Sequence, residues 1–100
     1  MNSRELTIDE FNALNYFVSN KRPVSVIEIN TIPILKSNTF IDTIRTIELT
    51  SNALAYFGCN NGLFEQPNDV ELIHKNDDGT YSATSFGEEY VNYYKSQVLI

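Results

Sequence analysis

Few residues of this chain have the chemistry for catalysis or metal binding. His74 is the single histidine and Cys59 the single cysteine, and the paired carboxylates Asp77-Asp78 and Glu88-Glu89 are the remaining candidates. No serine or cysteine nucleophile stands near His74 in the pattern, so a nucleophilic constellation is not indicated. A single cysteine excludes an intrachain disulfide and leaves only His74 and carboxylates for a metal site. We therefore expect no enzyme, no catalytic residue, no metal and no cofactor.

Structural roles account for each of these candidates. We expect His74 on the apolar side of a strand, partly buried and structural. Cys59 is expected to be a packed, inert thiol, because no neighbouring cation in the sequence would lower its pKa. Asp77-Asp78 suits a tight turn, and Glu88-Glu89 suits the first turn of a helix, where the helix dipole favours carboxylates.

The composition limits the class of protein and its partners. With 100 residues and 42% hydrophobic residues, the chain can bury one core, so we expect a single domain over residues 1–100. Thirteen acidic residues against seven basic ones give a net charge of −6, which opposes non-specific attraction to phosphates or anionic lipid. No segment resembles a signal peptide, and no apolar run approaches about 18 residues, so we expect a soluble, cytoplasmic protein without membrane contact.

The first helix is marked at both ends. Thr7 and Glu10 form a capping box, in which each side chain can accept a hydrogen bond from the other residue's backbone N–H. The helix should end near residues 20–22, because Pro23 disfavours helix for the residue before it. Its apolar stripe at helical spacing is Ile8, Phe11, Leu14, Phe17 and Val18.

The next segment leaves two alternatives open. Residues 24–29 are rich in β-branched side chains, which favours a short strand, but a helical turn starting at Ser25 also fits them. Further along, Pro33 is tolerated in the first turn of a helix capped by Thr31. We therefore expect residues 32–35 to open a short helix.

Two short helices joined by a capped turn are expected next. The first begins at Ser37 or Asn38, and the second begins at Thr50 or Ser51 and ends at the Asn-Asn-Gly sequence of residues 60–62. Their apolar residues recur at helical spacing: Phe40, Ile41, Ile44 and Ile47 in the first, and Ala53, Leu54 and Phe57 in the second. This is a helix-turn-helix arrangement.

A β-hairpin and a final helix close the chain. Residues 70–75 and 80–84 are two strand-like runs around a four-residue loop, in which Gly79 suits the position of positive φ. A second capping box, Ser85 with Glu88, then begins an amphipathic helix. The sequence therefore predicts an α+β fold.

Two stretches carry a resemblance to a known superfamily. The segment "NALAYFGCNNGLFE", residues 52–65, resembles the end of the third helix of winged-helix proteins. The segment "DGTYSATSFGEEYV", residues 78–91, is similar to the wing exit and last helix of the MarR and PadR repressor groups. The resemblance implies a winged helix-turn-helix domain of three to four helices with a small antiparallel β-hairpin wing and a C-terminal helix.

The same resemblance implies where nucleic acid would bind. The exposed side of the recognition helix would carry Ser51, Asn52, Ala55, Tyr56 and Asn60. The wing would carry Lys75, Asn76, Asp77 and Asp78. DNA-binding members usually present Arg or Lys at these places, whereas this helix has no cation, so DNA binding is disfavoured. The remaining candidates for nucleic-acid contact are Lys36, Arg45 and Lys75, provided that they lie on one face.

The tyrosines of the last helix predict an interface. Tyr90, Tyr93 and Tyr94 cover more than one helical face, so a small core cannot hold all of them. Together with Val98 they predict an apolar surface for a homodimer or another protein partner. We therefore expect a non-enzymatic winged-helix regulatory module that acts mainly through protein–protein contacts, as an adaptor or a small acidic inhibitor of a nucleic-acid-binding partner. The alternative is a dimeric DNA-binding transcriptional regulator.

Overall fold

The structure is a computed structural model that describes residues 4–48, 50 and 71–98. This part of the chain contains four helices and one antiparallel hairpin, as the predicted α+β class requires. The helices are α1 (Ile8–Asn20), α2 (Val26–Thr31), α3 (Asn38–Arg45) and α4 (Ser85–Val98), and the strands are β1 (Ile73–Lys75) and β2 (Tyr81–Ala83).

Helix α1 begins with the predicted capping box. The Thr7 hydroxyl accepts from the Glu10 backbone N–H at 3.2 Å, and the Glu10 carboxylate accepts from the Thr7 N–H at 2.9 Å. The Arg4 guanidinium also donates two hydrogen bonds of 2.8 Å to Glu10, which hold the pKa of this buried carboxyl below its ordinary value. The helix ends at Asn20, where Lys21 takes the left-handed conformation with φ 55°. Both predicted ends are confirmed.

Both alternatives for residues 24–29 are realised in part. Val24 forms an isolated antiparallel bridge to β2, with hydrogen bonds of 2.7 and 2.9 Å to the backbone of Tyr81. The next residue, Ser25, caps α2, because its hydroxyl accepts from the Glu28 N–H at 3.2 Å. The chain therefore changes from strand to helix between two consecutive residues.

The predicted short helix at residues 32–35 is wrong. Helix α2 begins after Ser25 and ends at Thr31, and Ile32 is its C-cap. Thr31 therefore ends a helix instead of capping a new one. Pro33 follows the helix end, where proline is common because it cannot continue the helix. A hydrogen bond of 3.0 Å from the Leu35 N–H to the Ile32 carbonyl closes a turn there.

Helix α3 begins where the sequence predicts. The hydroxyl of Ser37 accepts from the Phe40 N–H at 3.2 Å, and the helix runs from Asn38 to Arg45. The apolar stripe faces the core, with Ile41 and Ile44 buried. Serine before the first helical residue thus sets the start of α3, and the stripe sets its orientation.

The hairpin is confirmed, with shorter strands than expected. Ile73 lies opposite Ala83, and Lys75 lies opposite Tyr81. The loop is closed by a hydrogen bond of 3.0 Å from the Gly79 N–H to the Asn76 carbonyl. Gly79 has φ 88°, which a residue with a side chain rarely adopts. The residues predicted to form a wing, Lys75 to Asp78, therefore lie at the turn of this hairpin.

Helix α4 begins with a different cap from the predicted one. The Thr84 hydroxyl, rather than that of Ser85, accepts from the Gly87 N–H at 3.0 Å. The same hydroxyl donates to the Leu72 carbonyl at 3.2 Å, and the Thr84 N–H donates to that carbonyl at 3.2 Å. Because the hairpin fixes Thr84 in this way, the helix starts at Ser85, and the predicted capping box of Ser85 with Glu88 is wrong.

The core is formed by all of these elements. Helix α1 packs against α4 and β2, and α3 packs against β1. The largest fully buried side chains are Leu14, Phe17, Val24, Ile29, Leu35, Ile41, Ile44, Leu72, Ile73, Tyr81 and Tyr90. Within the described ranges, no helix has the length and apolar character needed to cross a membrane.

Candidate functional site

Arg45, a predicted nucleic-acid contact, is held between two carboxylates. It is the last residue of α3, and its Nε lies 3.1 Å from Asp42, one turn earlier on the same helix. Its Nη1 forms an ion pair with Glu71, which precedes β1. Only 26% of the Arg45 side chain is exposed. Its charge is therefore offset within the chain, and little of it faces solvent.

His74 extends this cluster at the surface. Its Nδ1 lies 3.0 Å from the Glu71 carboxylate, and 56% of its side chain is exposed. The predicted partial burial of His74 is wrong, because Leu72 and Ile73 are both buried and strand alternation begins only at Ile73. His74 therefore points away from the core.

Tyr81 joins the cluster to the sheet. Its hydroxyl donates to Asp42 at 3.1 Å, and burial together with this carboxylate raises the pKa of the tyrosine. We name Asp42, Arg45, Glu71, His74 and Tyr81 the α3–hairpin network. Its hydrogen bonds connect α3 with both strands, so its charged groups stabilise the position of the hairpin.

The two remaining basic candidates lie in different surroundings. The Nζ of Lys36 lies 2.8 Å from Asp9 of α1 and 5.1 Å from the centre of the Phe40 ring. Lys75 is exposed, and its Nζ lies 5.8 Å from the centre of the Tyr81 ring. Among the described residues Lys75 has no carboxylate partner. Of the three predicted nucleic-acid contacts, Lys36 and Arg45 are thus paired with carboxylates.

The hairpin turn exposes negative charge. Asp78 accepts hydrogen bonds from the Thr80 hydroxyl at 2.6 Å and the Thr80 N–H at 3.0 Å, and these hydrogen bonds lower the pKa of the Asp78 carboxyl. Asp77 is exposed beside it. Asn76 donates to the hydroxyls of Thr80 and Ser82 at 3.1 and 3.2 Å, which fixes the turn. A rigid turn therefore presents two adjacent carboxylates.

Two of the tyrosines predicted to form an interface are buried in the chain's own core. Tyr90 is fully buried and Tyr93 is 7% exposed, which corrects their assignment to a surface. Tyr94 is half-buried and stacks on Phe11 with ring centroids 4.2 Å apart. The side chain of Val98 lies outside the described part of the chain. The face of α4 that carries Tyr90 and Tyr93 packs against the N-terminal segment instead.

Glu5 is a residue whose role the sequence does not indicate. Its carboxylate accepts from the Tyr90 hydroxyl at 2.6 Å and from the Tyr93 hydroxyl at 2.9 Å. Burial and this carboxylate raise the pKa of both tyrosines. Tyr90 also accepts from the Leu6 N–H at 3.0 Å. Glu5 lies more than 80 positions before the two tyrosines, so no local spacing in the sequence connects them.

The predicted recognition-helix residues, Ser51, Asn52, Ala55, Tyr56 and Asn60, lie outside the described residues. No family model matches the chain, and no curated protein or solved structure matches it either. The described surface combines an acidic hairpin turn with basic side chains that mostly form ion pairs with carboxylates.

Proposed function

We propose that this protein is a non-enzymatic winged-helix regulatory module that acts through protein–protein contacts. The order of the described elements is compatible with the winged-helix assignment: a first helix, a bridging strand residue, helices α2 and α3, a hairpin and a closing helix. The predicted recognition helix follows α3 and lies outside the described residues. Val24 is the bridging strand residue, because its isolated bridge to Tyr81 adds one residue of a third strand to the two-stranded sheet. The resemblance in residues 52–65 and 78–91 points the same way.

The ion pairs of the basic side chains are the main observation against DNA binding. Affinity for duplex DNA comes largely from Lys and Arg side chains that neutralise phosphates and release counterions. Four of the seven Lys and Arg residues form ion pairs with carboxylates of the same chain: Arg4, Arg22, Lys36 and Arg45. A phosphate would have to compete with those carboxylates.

The acidic wing favours a basic partner. Asp77 and Asp78 are exposed on a turn that is closed by hydrogen bonds, so little backbone freedom is lost on binding. Nucleic-acid-binding proteins present clusters of Lys and Arg, and opposite charges accelerate association and favour the correct partner. An adaptor for such a protein, or a small inhibitor that covers its basic surface, is the role we propose.

A DNA-binding transcriptional regulator is the second candidate, and Lys75 is the observation that favours it. This lysine is exposed at the base of the wing and has no carboxylate partner in the described part of the chain. A dimer would have to use surfaces of α4 other than Tyr90 and Tyr93, which are buried. Tyr94 is the tyrosine of this helix that is still partly exposed.

Charge removal at the wing tests the proposal. We compare the double variant Asp77→Asn/Asp78→Asn with Glu48→Gln/Glu89→Gln, which removes the same charge from exposed positions outside the wing. The probe is an arginine-rich peptide, with binding followed by titration calorimetry. We expect the wing variant to bind about three- to tenfold more weakly than the control variant, because each exposed charge pair contributes modestly. Equal weakening of both variants would mean that the wing is not the contact surface.

A further inference from the structure

A groove of about 310 Å³ opens where the end of α1, strand β2 and the start of α4 meet. We call it the β2 groove. Its apolar lining includes Phe17, Val18, Pro23 and Ala83, and its charged lining consists of Lys21, Arg22 and Glu88. The volume is at the lower end of the range of about 300–1,000 Å³ that ligand pockets occupy.

The edge of strand β2 is open in this groove. In an antiparallel pair, the backbone groups of successive residues point alternately toward and away from the partner strand. The Tyr81 N–H and carbonyl point away from β1, since both form hydrogen bonds with Val24, at 2.9 and 2.7 Å. The N–H and carbonyl of Ala83, two residues on, point the same way. The described residues provide no hydrogen-bond partner for either group.

The chain's own third strand stops before it reaches Ala83. Continuing the pairing of Val24 with Tyr81 would place Arg22 opposite Ala83. However, the chain leaves α1 at Lys21, which is in the left-handed conformation with φ 55°. The strand pairing therefore does not extend back from Val24 to Arg22. Arg22 donates to Glu28 at 2.7 and 3.0 Å, and these bonds, together with one from the Tyr16 hydroxyl, lower the pKa of the Glu28 carboxyl to about 2. Among the described residues, none occupies the strand position beside Ala83.

We propose that the β2 groove binds an extended peptide segment of a partner protein, which adds a strand residue opposite Ala83. The inference rests on the proposed protein-contact function and names a surface for it. Peptides commonly bind to exposed strand edges in this way, because their backbone hydrogen bonds give affinity and side-chain pockets give specificity. In this case the next position on the same edge is already occupied by Val24 of the chain itself.

The groove specifies the side chains of the segment. Tyr81 and Ala83 point to the same face of β2, and Tyr81 is buried, so the residue opposite Ala83 points toward Phe17 and Val18. That residue is apolar. Lys21 and Glu88 are both exposed and have no ion-pair partner among the described residues. Alternation turns the side chains on either side of this residue away from Phe17 and Val18 and toward solvent, where one acidic and one basic side chain pair with the exposed Lys21 and Glu88.

Two blocked pentapeptides test the proposal. Both have a central valine between lysine and glutamate, in the two opposite orders, and both are titrated into the full-length ¹⁵N-labelled protein. We expect saturable shifts of the Ala83 amide resonance with a Kd of about 1 mM for the better peptide, and about tenfold weaker binding for the reversed order. Methylation of the central valine nitrogen removes the donor to the Ala83 carbonyl and should weaken binding about tenfold.

Matched variants identify the groove as the binding site. Lys21→Gln and Glu88→Gln should each weaken binding of the better peptide, while Glu89→Gln, outside the groove, should not. No shift at Ala83, equal binding of the methylated peptide, equal binding of the two charge orders, or equal weakening by Glu89→Gln would each overturn the proposal. None of these peptide results bears on the arginine-rich probe, so a failure of the groove and a failure of the acidic wing are distinguishable.

Discussion

Gly87→Ala is expected to destabilise the protein by about 2 kcal/mol or more, although alanine normally favours a helix over glycine by about 1 kcal/mol. A Cβ at position 87 would lie less than 3.0 Å from the Leu72 carbonyl oxygen and 3.2 Å from Cδ1 of Leu14. Neither group can move easily. Leu14 is fully buried, and the Leu72 carbonyl accepts from both the N–H and the hydroxyl of Thr84. The steric cost therefore exceeds the gain in helix propensity.

Urea unfolding of the purified variants measures this effect. Ser85→Ala is the control in the same helical turn, because Ser85 is exposed and the capping hydroxyl belongs to Thr84. We expect the control to lie within about 0.5 kcal/mol of the native sequence. A Gly87→Ala variant as stable as the native chain would contradict the described contact between α4 and the residue before β1.

Tyr90→Phe is expected to cost about 2 kcal/mol of stability. The Tyr90 hydroxyl accepts from the buried Leu6 N–H at 3.0 Å and donates to Glu5 at 2.6 Å. Removing the oxygen takes away the acceptor of a buried donor and a hydrogen bond to a carboxylate. The ring itself is kept, so the loss reports the hydroxyl and not the apolar packing of Tyr90.

Tyr93→Phe separates the two contributions. This hydroxyl donates to Glu5 at 2.9 Å, and its removal leaves the acceptor of the Leu6 N–H in place. We expect Tyr93→Phe to cost about half as much as Tyr90→Phe in urea unfolding. Combining each with Glu5→Gln in a double-mutant cycle gives the coupling energies. Equal costs for both tyrosines, or coupling to Glu5 near zero, would show that the N-terminal segment does not bind α4 as described.

Local signals predicted the described elements well. The Thr7–Glu10 capping box, Ser37 before α3 and Gly79 in the hairpin loop each act within four residues, and the structure confirms all three. The two errors in capping have a common cause. In both, a feature outside the predicted cap sets the boundary. Thr84 replaces Ser85 as the cap of α4 because the hairpin holds Thr84 in place. Thr31 ends α2 and does not cap a new helix, because α2 has already begun after Ser25.

The charges of the site could not be predicted from the sequence. Arg45 is offset by Glu71, which is 26 positions away, and Lys36 is offset by Asp9, which is 27 positions away. Composition and spacing count such residues as available cations. Only the packing of α3 on the hairpin, and of the turn after α2 on α1, brings their carboxylate partners close.

We propose that the protein functions through protein contacts and not through DNA contacts. Titration against duplex DNA tests this proposal most directly. Labelled random and promoter-like duplexes are titrated with the full chain at two salt concentrations. We predict dissociation constants above about 1 µM and no preference between duplexes, with Asp42→Asn/Glu71→Gln strengthening binding by releasing Arg45. Sub-micromolar binding to one sequence, with a steep salt dependence that Arg45→Gln or Lys75→Gln removes, would contradict the claim and favour a DNA-binding regulator.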